Sequence, residues 1–104
     1  MGEKSLALDA LHDVIDLISR LDLSGLEKSH QFLAIASAYT RLDMQKEALD
    51  YVQKSQDINV LHDDLLLMQA NVYYAMGQLK DARKVYEEYS EYIANFYSRH
   101  SMQY

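Results

Sequence analysis

The chain has 104 residues, with 10 Lys and Arg against 16 Asp and Glu, 3 Gly, and no Cys, Pro or Trp. This length fits one domain. The missing Cys excludes disulfide scaffolds and thiolate sites, and the scarcity of Gly and Pro excludes a β-rich fold, which needs turn residues. The formal charge of −6 argues against nucleic acid or an anionic membrane as the main partner.

The start of the chain and its hydropathy predict no targeting or membrane-spanning segment. Asp9 interrupts the first apolar residues before they reach the length of a signal peptide. The longest apolar stretch without a charge, residues 65–70, is far shorter than the ~20 residues that a membrane-spanning helix needs. We therefore expect a soluble protein of the cytoplasm.

Helical periodicity is the main signal in the first half of the chain. An apolar stripe with acidic residues on the other side predicts an amphipathic helix over residues 5–21. The stripe consists of Leu8, Leu11, Ile15 and Ile18, widened by Val14 and Leu21. Gly25 supplies a permissive backbone where this helix ends. A second helix is predicted over residues 26–42.

Three more helices are predicted in the second half of the chain, over residues 45–56, 60–76 and 79–99. Asp57 or Asn59 is a candidate N-cap for the fourth helix, and Gly77 lies where a left-handed C-terminal residue belongs. The fourth helix is apolar on more than one face, which is typical of a helix between other helices. Short connections make this an all-α, antiparallel arrangement, either a bundle or a stack of repeats.

Two parts of the chain superpose when the sequence is shifted against itself by about 34 residues. In this alignment small residues pair with small residues, and aromatic residues pair with aromatic or apolar residues. The break between one pair of helices also aligns with the break between the other pair. The pairs are Ala36 with Ala70, Tyr39 with Tyr73, Ala48 with Ala82, Leu33 with Leu67, Val52 with Tyr86, and Asp43 with Gly77. The placement of the small residues and the Tyr indicates a repeated helix–turn–helix unit.

This pattern resembles the tetratricopeptide repeat, whose helix–turn–helix unit has the same length. The resemblance implies antiparallel helix–turn–helix repeats in one domain over residues 1–104. It assigns an N-terminal half repeat to residues 1–28, repeats to residues 29–62 and 63–96, and a C-terminal extension to residues 97–104. The chain departs from the family pattern because neither first helix has a Trp, neither repeat has a closing Pro, and Gln69 replaces the usual Leu.

Candidate catalytic and metal-binding groups are scattered. The four histidines, none spaced three or four residues from another, are His12, His30, His62 and His100. The acidic pair at residues 63–64 favours a helix N-terminus, and no nucleophile elbow or Gly-rich phosphate loop is present. We expect no enzymatic activity, no metal and no cofactor.

Tyrosine is the more informative residue, because five of the nine Tyr lie near the end of the chain. A 3-4-3-4 spacing predicts a packed seam of Tyr86, Tyr89, Ile93, Phe96 and His100. Tyr92 and Tyr97 lie off this seam and are candidate partner-binding residues. Two interpretations stay open: a capping helix with aromatic residues at the edge of the core, or an exposed aromatic surface for a partner.

The resemblance also implies a concave groove lined by the first helix of each repeat. The groove positions are His30, Leu33, Ser37, Thr40 and Arg41, then Asp64, Leu67, Asn71, Tyr74 and Ala75. A family subgroup clamps a C-terminal carboxylate with Lys and Asn; here Leu33, Leu67 and Ala75 replace the expected Lys, and only Asn71 matches. We therefore predict an apolar helix or extended segment as the ligand.

These observations predict a non-enzymatic protein-interaction module, a small chaperone or adaptor that holds an amphipathic segment of a partner protein. In size and architecture the chain is similar to the co-chaperones of type III secretion needle subunits. The alternative is a scaffold that self-associates through its Tyr-rich C-terminal helix. The expected assembly is a hetero-complex in the first case and a homodimer in the second.

Overall fold

The computed structural model describes residues 2–58 and 63–101, and within the last helix its side chains up to residue 98. The described chain forms five α-helices and no strand: α1 (Gly2–Ser19), α2 (Gly25–Arg41), α3 (Gln45–Ile58), α4 (Asp63–Ala75) and α5 (Leu79–Ser101). The all-α prediction is therefore confirmed. Of the sequence-based assignments, Asn59, His62, the last three residues of the C-terminal extension, and the side chains of Asp63 and His100 lie outside this description.

The chain divides into two compact units, Met1–Val60 and Leu61–Tyr104. In the first unit α2 packs along α3 and α1 contacts α2, and in the second unit α4 packs along α5. The assignment of residues 1–104 to one repeat domain, with its internal boundaries, stays a prediction.

One local prediction about a helix end is wrong, and one of two candidate N-caps is excluded. Gly25 is the first residue of α2 and does not end α1. Ser24 caps α2 instead, because its Oγ accepts a hydrogen bond from the Glu27 N–H over 3.2 Å. Asp57 lies inside α3, so it is not the N-cap of α4.

The first unit is built on a core between α2 and α3. Its buried apolar side chains are Leu33, Ile35, Ala36, Tyr39, Ala48 and Val52. Ala36 and Ala48 have no exposed surface. Their small side chains allow the two helices to approach closely at this place. Ser29 is also buried, and its Oγ donates a hydrogen bond to the carbonyl of Ser55 over 3.2 Å.

The second unit has a core of the same kind between α4 and α5. Its buried apolar side chains are Leu65, Leu66, Ala70, Val72, Met76, Ala82 and Val85. Tyr73, Tyr86, Tyr89 and Tyr92 pack against the cluster of Leu66, Ala70 and Val85. The buried residues Leu65 and Val72 lie outside that cluster on α4, which fits the prediction that this helix is apolar on more than one face.

The turn between α2 and α3 is closed by two backbone hydrogen bonds. The Asp43 N–H donates to the Thr40 carbonyl over 3.0 Å, and the Met44 N–H donates to the Tyr39 carbonyl over 2.9 Å. Asp43 has a φ of 60°, in the left-handed region. This is the Schellman arrangement that satisfies the last carbonyls of a helix.

The turn between α4 and α5 has the same geometry at Gly77, the residue that the sequence shift pairs with Asp43. The Gly77 N–H donates to the Tyr74 carbonyl over 3.0 Å, and the Gln78 N–H donates to the Tyr73 carbonyl over 2.9 Å. Gly77 has a φ of 79°, as the sequence predicts for a left-handed C-terminal residue. The match between the two sequence segments therefore corresponds to a match of backbone geometry.

Helix α1 is amphipathic but shallowly packed. The predicted stripe of Leu8, Leu11, Ile15 and Ile18 is half-buried, and no residue of α1 is fully buried. Val14 and Leu21 were expected to widen that stripe, but both are exposed. Leu21 follows the end of α1, and it lines a depression that residues of α2 also line.

Candidate protein-binding surface

An open apolar depression of ≈ 490 Å³ lies on the surface of the α4–α5 pair. Tyr74 comes from the last turn of α4, and Leu79, Ala82 and Tyr86 come from successive turns of α5. Tyr74 is 64% exposed and Leu79 60% exposed. Two large apolar side chains therefore face solvent at one place, where a partner could cover them.

One wall of this depression is fixed by a hydrogen bond. The hydroxyl of Tyr86 donates to Oδ1 of Asn71 over 2.7 Å. This bond joins α5 to α4 and orients the ring of Tyr86, which also packs against the buried cluster of the second unit. The wall is thus pre-organised before any ligand binds.

The edge of the depression is polar and carries both signs of charge. Arg83 Nε lies 3.1 Å from Glu87 Oε1 in an exposed i,i+4 pair, and Ser90 lies one turn further along α5. An exposed pair of this kind adds little stability. Its position next to apolar side chains gives the surface the apolar centre and polar rim that are typical of protein interfaces.

Four of the five predicted groove residues of α4 lie on one face of that helix, at steps of three, four and three residues. Asp64, Asn71 and Tyr74 are exposed and Leu67 is half-buried. Of these residues, Tyr74 lines the depression, and Asn71 contacts it through Tyr86. Ala75, where the family places a clamp Lys, is exposed as well.

The predicted groove residues of α2 are less available. Leu33 has no exposed surface and belongs to the core, so the structure does not place it where a partner could touch it. Thr40 donates its hydroxyl hydrogen to the Ala36 carbonyl over 2.9 Å. His30 and Ser37 are half-buried, whereas Arg41 is exposed.

The two Tyr predicted to lie off the seam of α5 have different surroundings. Tyr92 packs against the buried cluster of the second unit and stacks on Phe96 at 6.5 Å, so its prediction as an off-seam residue is wrong. The error arises because the seam also includes Val85, which moves its centre toward position 92. Tyr97 is exposed, and its ring meets Phe96 edge to face at 5.3 Å.

Sequence reasoning missed Leu79 and Arg83 as surface residues beside Tyr74. The available signal was position: Leu79 is the first residue of α5, directly after the left-handed turn at Gly77. The side chain of Leu79 therefore lies beside the last turn of α4, which carries Tyr74.

A smaller depression of ≈ 240 Å³ lies in the first unit, between α1 and the α2–α3 pair. Ile15 and Ile18 of α1 line one side, and Phe32, Ile35 and Tyr51 line the other. The Lys54 ammonium lies 5.6 Å from the centre of the Tyr51 ring. The depression marks incomplete packing of α1 on its unit.

Within the described ranges, no group of three or more His, Asp and Glu side chains is arranged to hold a metal ion. Across the same residues, no helix is both long and apolar enough to cross a membrane. Comparisons with models of protein families, with characterised proteins and with solved structures find no match to this chain.

Proposed function

We propose that this chain is a non-enzymatic protein-interaction module of the tetratricopeptide-repeat type, which holds an amphipathic segment of a partner protein. The repeated Schellman turn, at Asp43 and again at Gly77, supports the repeat assignment. The observation that carries the binding function is the depression around Tyr74, Leu79 and Tyr86, an apolar surface with a polar edge.

The chemistry of this surface favours an apolar segment with polar flanks. The exposed rings and methyl groups of Tyr74 and Leu79 form apolar contacts, which do not depend on direction. They therefore fit aliphatic or aromatic side chains of an amphipathic helix or strand. Arg83 and Glu87 can each pair with the opposite charge of a partner at the edge. Such a surface suits a chaperone or adaptor that shields a partner's apolar segment in the cytoplasm.

The specific candidate partner is a needle subunit of a type III secretion system. This narrower proposal is supported by the small size, the acidic charge and the paired helices of the chain. Co-expression with a needle subunit should yield a soluble complex that elutes as one species in gel filtration. Recovery of the two proteins as separate species would remove this candidate.

The general proposal is tested with matched substitutions of exposed tyrosines. Tyr74→Ala should weaken binding of the co-purifying partner by roughly tenfold or more, because it removes a central apolar contact. Tyr97→Ala changes a similarly exposed ring outside the depression, and it should leave the affinity within about twofold of the original value. Equal effects of both substitutions, or none, would contradict the assignment of the depression as the binding surface.

A second function, self-association through α5, is supported by the exposed rings of Phe96 and Tyr97. Light scattering at micromolar concentration separates the two functions. A dimer that Phe96→Asp converts to a monomer would favour the scaffold, whereas a monomer would exclude it.

A further inference from the structure

The second helix of a pair uses four positions to pack on the helix before it. In α3 these positions are Ala48, Tyr51, Val52 and Ser55. Ala48 and Val52 are buried, the Tyr51 ring stacks on Tyr39 of α2 at 5.8 Å, and the Ser55 carbonyl accepts the hydrogen bond from α2. This set of positions therefore defines the α2–α3 contact.

The equivalent positions of α5, one repeat length later, do the same on α4. They are Ala82, Val85, Tyr86 and Tyr89. Ala82 is buried, and the other three belong to or pack against the cluster formed with Leu66 and Ala70 of α4. Both helix pairs thus share one mode of contact.

One repeat length toward the N-terminus, the same step leads from α3 to three apolar positions of α1, Val14, Leu17 and Ile18, and to Leu21, which follows the end of that helix. Ile18 is half-buried on the side of α1 that contacts α2. The other three are 46%, 52% and 48% exposed, in chain order. Leu21 also lines the depression between α1 and the α2–α3 pair. We name the two exposed apolar residues within the helix, Val14 and Leu17, the open face of α1. This face holds two of the four positions that form the helix–helix contact in the other pairs, and both are open to solvent.

The charges beside the open face are acidic. Asp13 lies one helical turn before Leu17, and Asp9 lies one turn before Asp13, and both are exposed. Asp16 is already paired, because its Oδ2 lies 2.7 Å from Arg20 Nη2. A helix that covers the open face would therefore meet Asp9 and Asp13 along one edge.

We propose that the open face of α1 binds an amphipathic helix of a partner protein, with a small residue at its centre and Lys or Arg along one edge. The helix would lie on α1 as α2 lies on α3, where the small residue Ala36 allows close approach. A second copy of this chain fits poorly, because each copy carries a charge of −6 and would bring its own acidic α1 to the contact. This surface belongs to the first unit, whereas the depression around Tyr74 belongs to the second.

A pair of synthetic helical peptides tests the proposal on the full chain. Both carry the sequence of residues 24–42, which already has the spacing of a first helix. The basic peptide has Glu27→Lys, Gln31→Lys and Ala34→Lys, and the acidic peptide has Glu at the same three exposed positions. Fluorescence anisotropy should show the basic peptide binding at least roughly tenfold tighter than the acidic one.

Two variants of the chain locate the binding surface. Leu17→Asp should weaken binding of the basic peptide by roughly tenfold or more, because a carboxylate replaces an apolar contact. His12→Asp adds a carboxylate on the polar side of α1 and is the matched control, with affinity expected within about twofold of the original value. Asp13→Lys should reduce or reverse the preference for the basic peptide. Circular dichroism verifies that each variant keeps its helix content.

Four outcomes would overturn the proposal. They are no binding of either peptide, equal binding of both, equal loss in Leu17→Asp and His12→Asp, and a dimer of the chain that Leu17→Asp converts to a monomer. Tyr74→Ala leaves α1 unchanged, so it should not change binding of the basic peptide. If it weakens that binding, the peptide occupies the depression of the second unit and the proposal for α1 fails, whereas the function proposed for the second unit does not.

Discussion

Asp43 is the one described non-Gly residue with a positive φ, 60°, and it occupies the position where the second pair has Gly77. A left-handed conformation costs a residue with a Cβ about 1–2 kcal/mol, which Gly avoids. We expect Asp43→Gly to raise the free energy of unfolding by about 0.5–1 kcal/mol, since the freer unfolded chain offsets part of the gain. Urea denaturation measures the change.

Gly77→Ala is the reciprocal control. A Cβ at Gly77 meets nothing within 4 Å, so its cost is confined to the backbone. We expect this variant to lose about 1 kcal/mol of stability. If Asp43→Gly lowered the stability, the backbone account of this turn would be wrong.

Tyr39 links stability to alkaline pH. Its ring is buried, and burial, followed by the nearby Tyr51 and Glu47, raises the pKa of Tyr39 above 10.0. The folded state therefore keeps the phenol proton at a pH where the unfolded state releases it, so stability falls as the pH rises through and above 10.0. Thermal unfolding in that range should show a smaller loss in Tyr39→Phe, and an unchanged loss would contradict the prediction.

At the scale of helices, the sequence predicts the existence and order of all five. Their positions are close to the predicted ones because the apolar periodicity of α2, α3 and α5 is long and regular. Helix ends were less predictable. Ser24 and Gly25 are both residues that often occur at a helix terminus. The Glu27 N–H donates a hydrogen bond to the Ser24 side chain, which makes Ser24 the N-cap of α2.

The side chains that face a partner were harder to predict than the helices. Leu33 and Leu67 hold equivalent positions one repeat length apart, yet Leu33 has no exposed surface and Leu67 is half-buried. A periodic pattern predicts which face of a helix is apolar, but it does not predict how fully neighbouring elements cover each side chain on that face. Tyr92 shows the same limit, because Val85 moves the packed seam of α5 by about one residue.

Close approach of the paired helices depends on small side chains. Ala48 is fully buried against α2, so Ala48→Leu should force the helices apart and cost about 1–3 kcal/mol. Ala34→Leu is the matched control on the exposed side of α2, and its change should stay within about 0.5 kcal/mol. Chemical denaturation of both variants measures the difference. A loss of stability as large in Ala34→Leu as in Ala48→Leu would contradict the packing argument.

For the whole molecule, the dominant electrostatic property is the excess of acidic side chains. The charge of −6 produces self-repulsion in the folded state, and the ion pairs Asp16–Arg20 and Arg83–Glu87 are exposed. We expect added salt to raise the free energy of unfolding at pH 7 by about 0.5 kcal/mol, because it screens this repulsion. Thermal unfolding at low and physiological salt measures the effect.

The isoelectric point provides the control. Near pH 5.0 the net charge is close to zero, so the same addition of salt should change the stability less than at pH 7. A decrease in stability with salt at pH 7 would show that local ion pairs outweigh the net charge.

The equivalent turns after α2 and α4 make this chain extendable. Because Met44 and Gln78 leave their turns with the same backbone geometry, a copy of residues 45–78 inserted after Gln78 would begin and end at equivalent points. The duplication would add a whole helix pair without a new type of junction. Gene duplication or protein engineering could in this way lengthen the chain by one helix pair at a time.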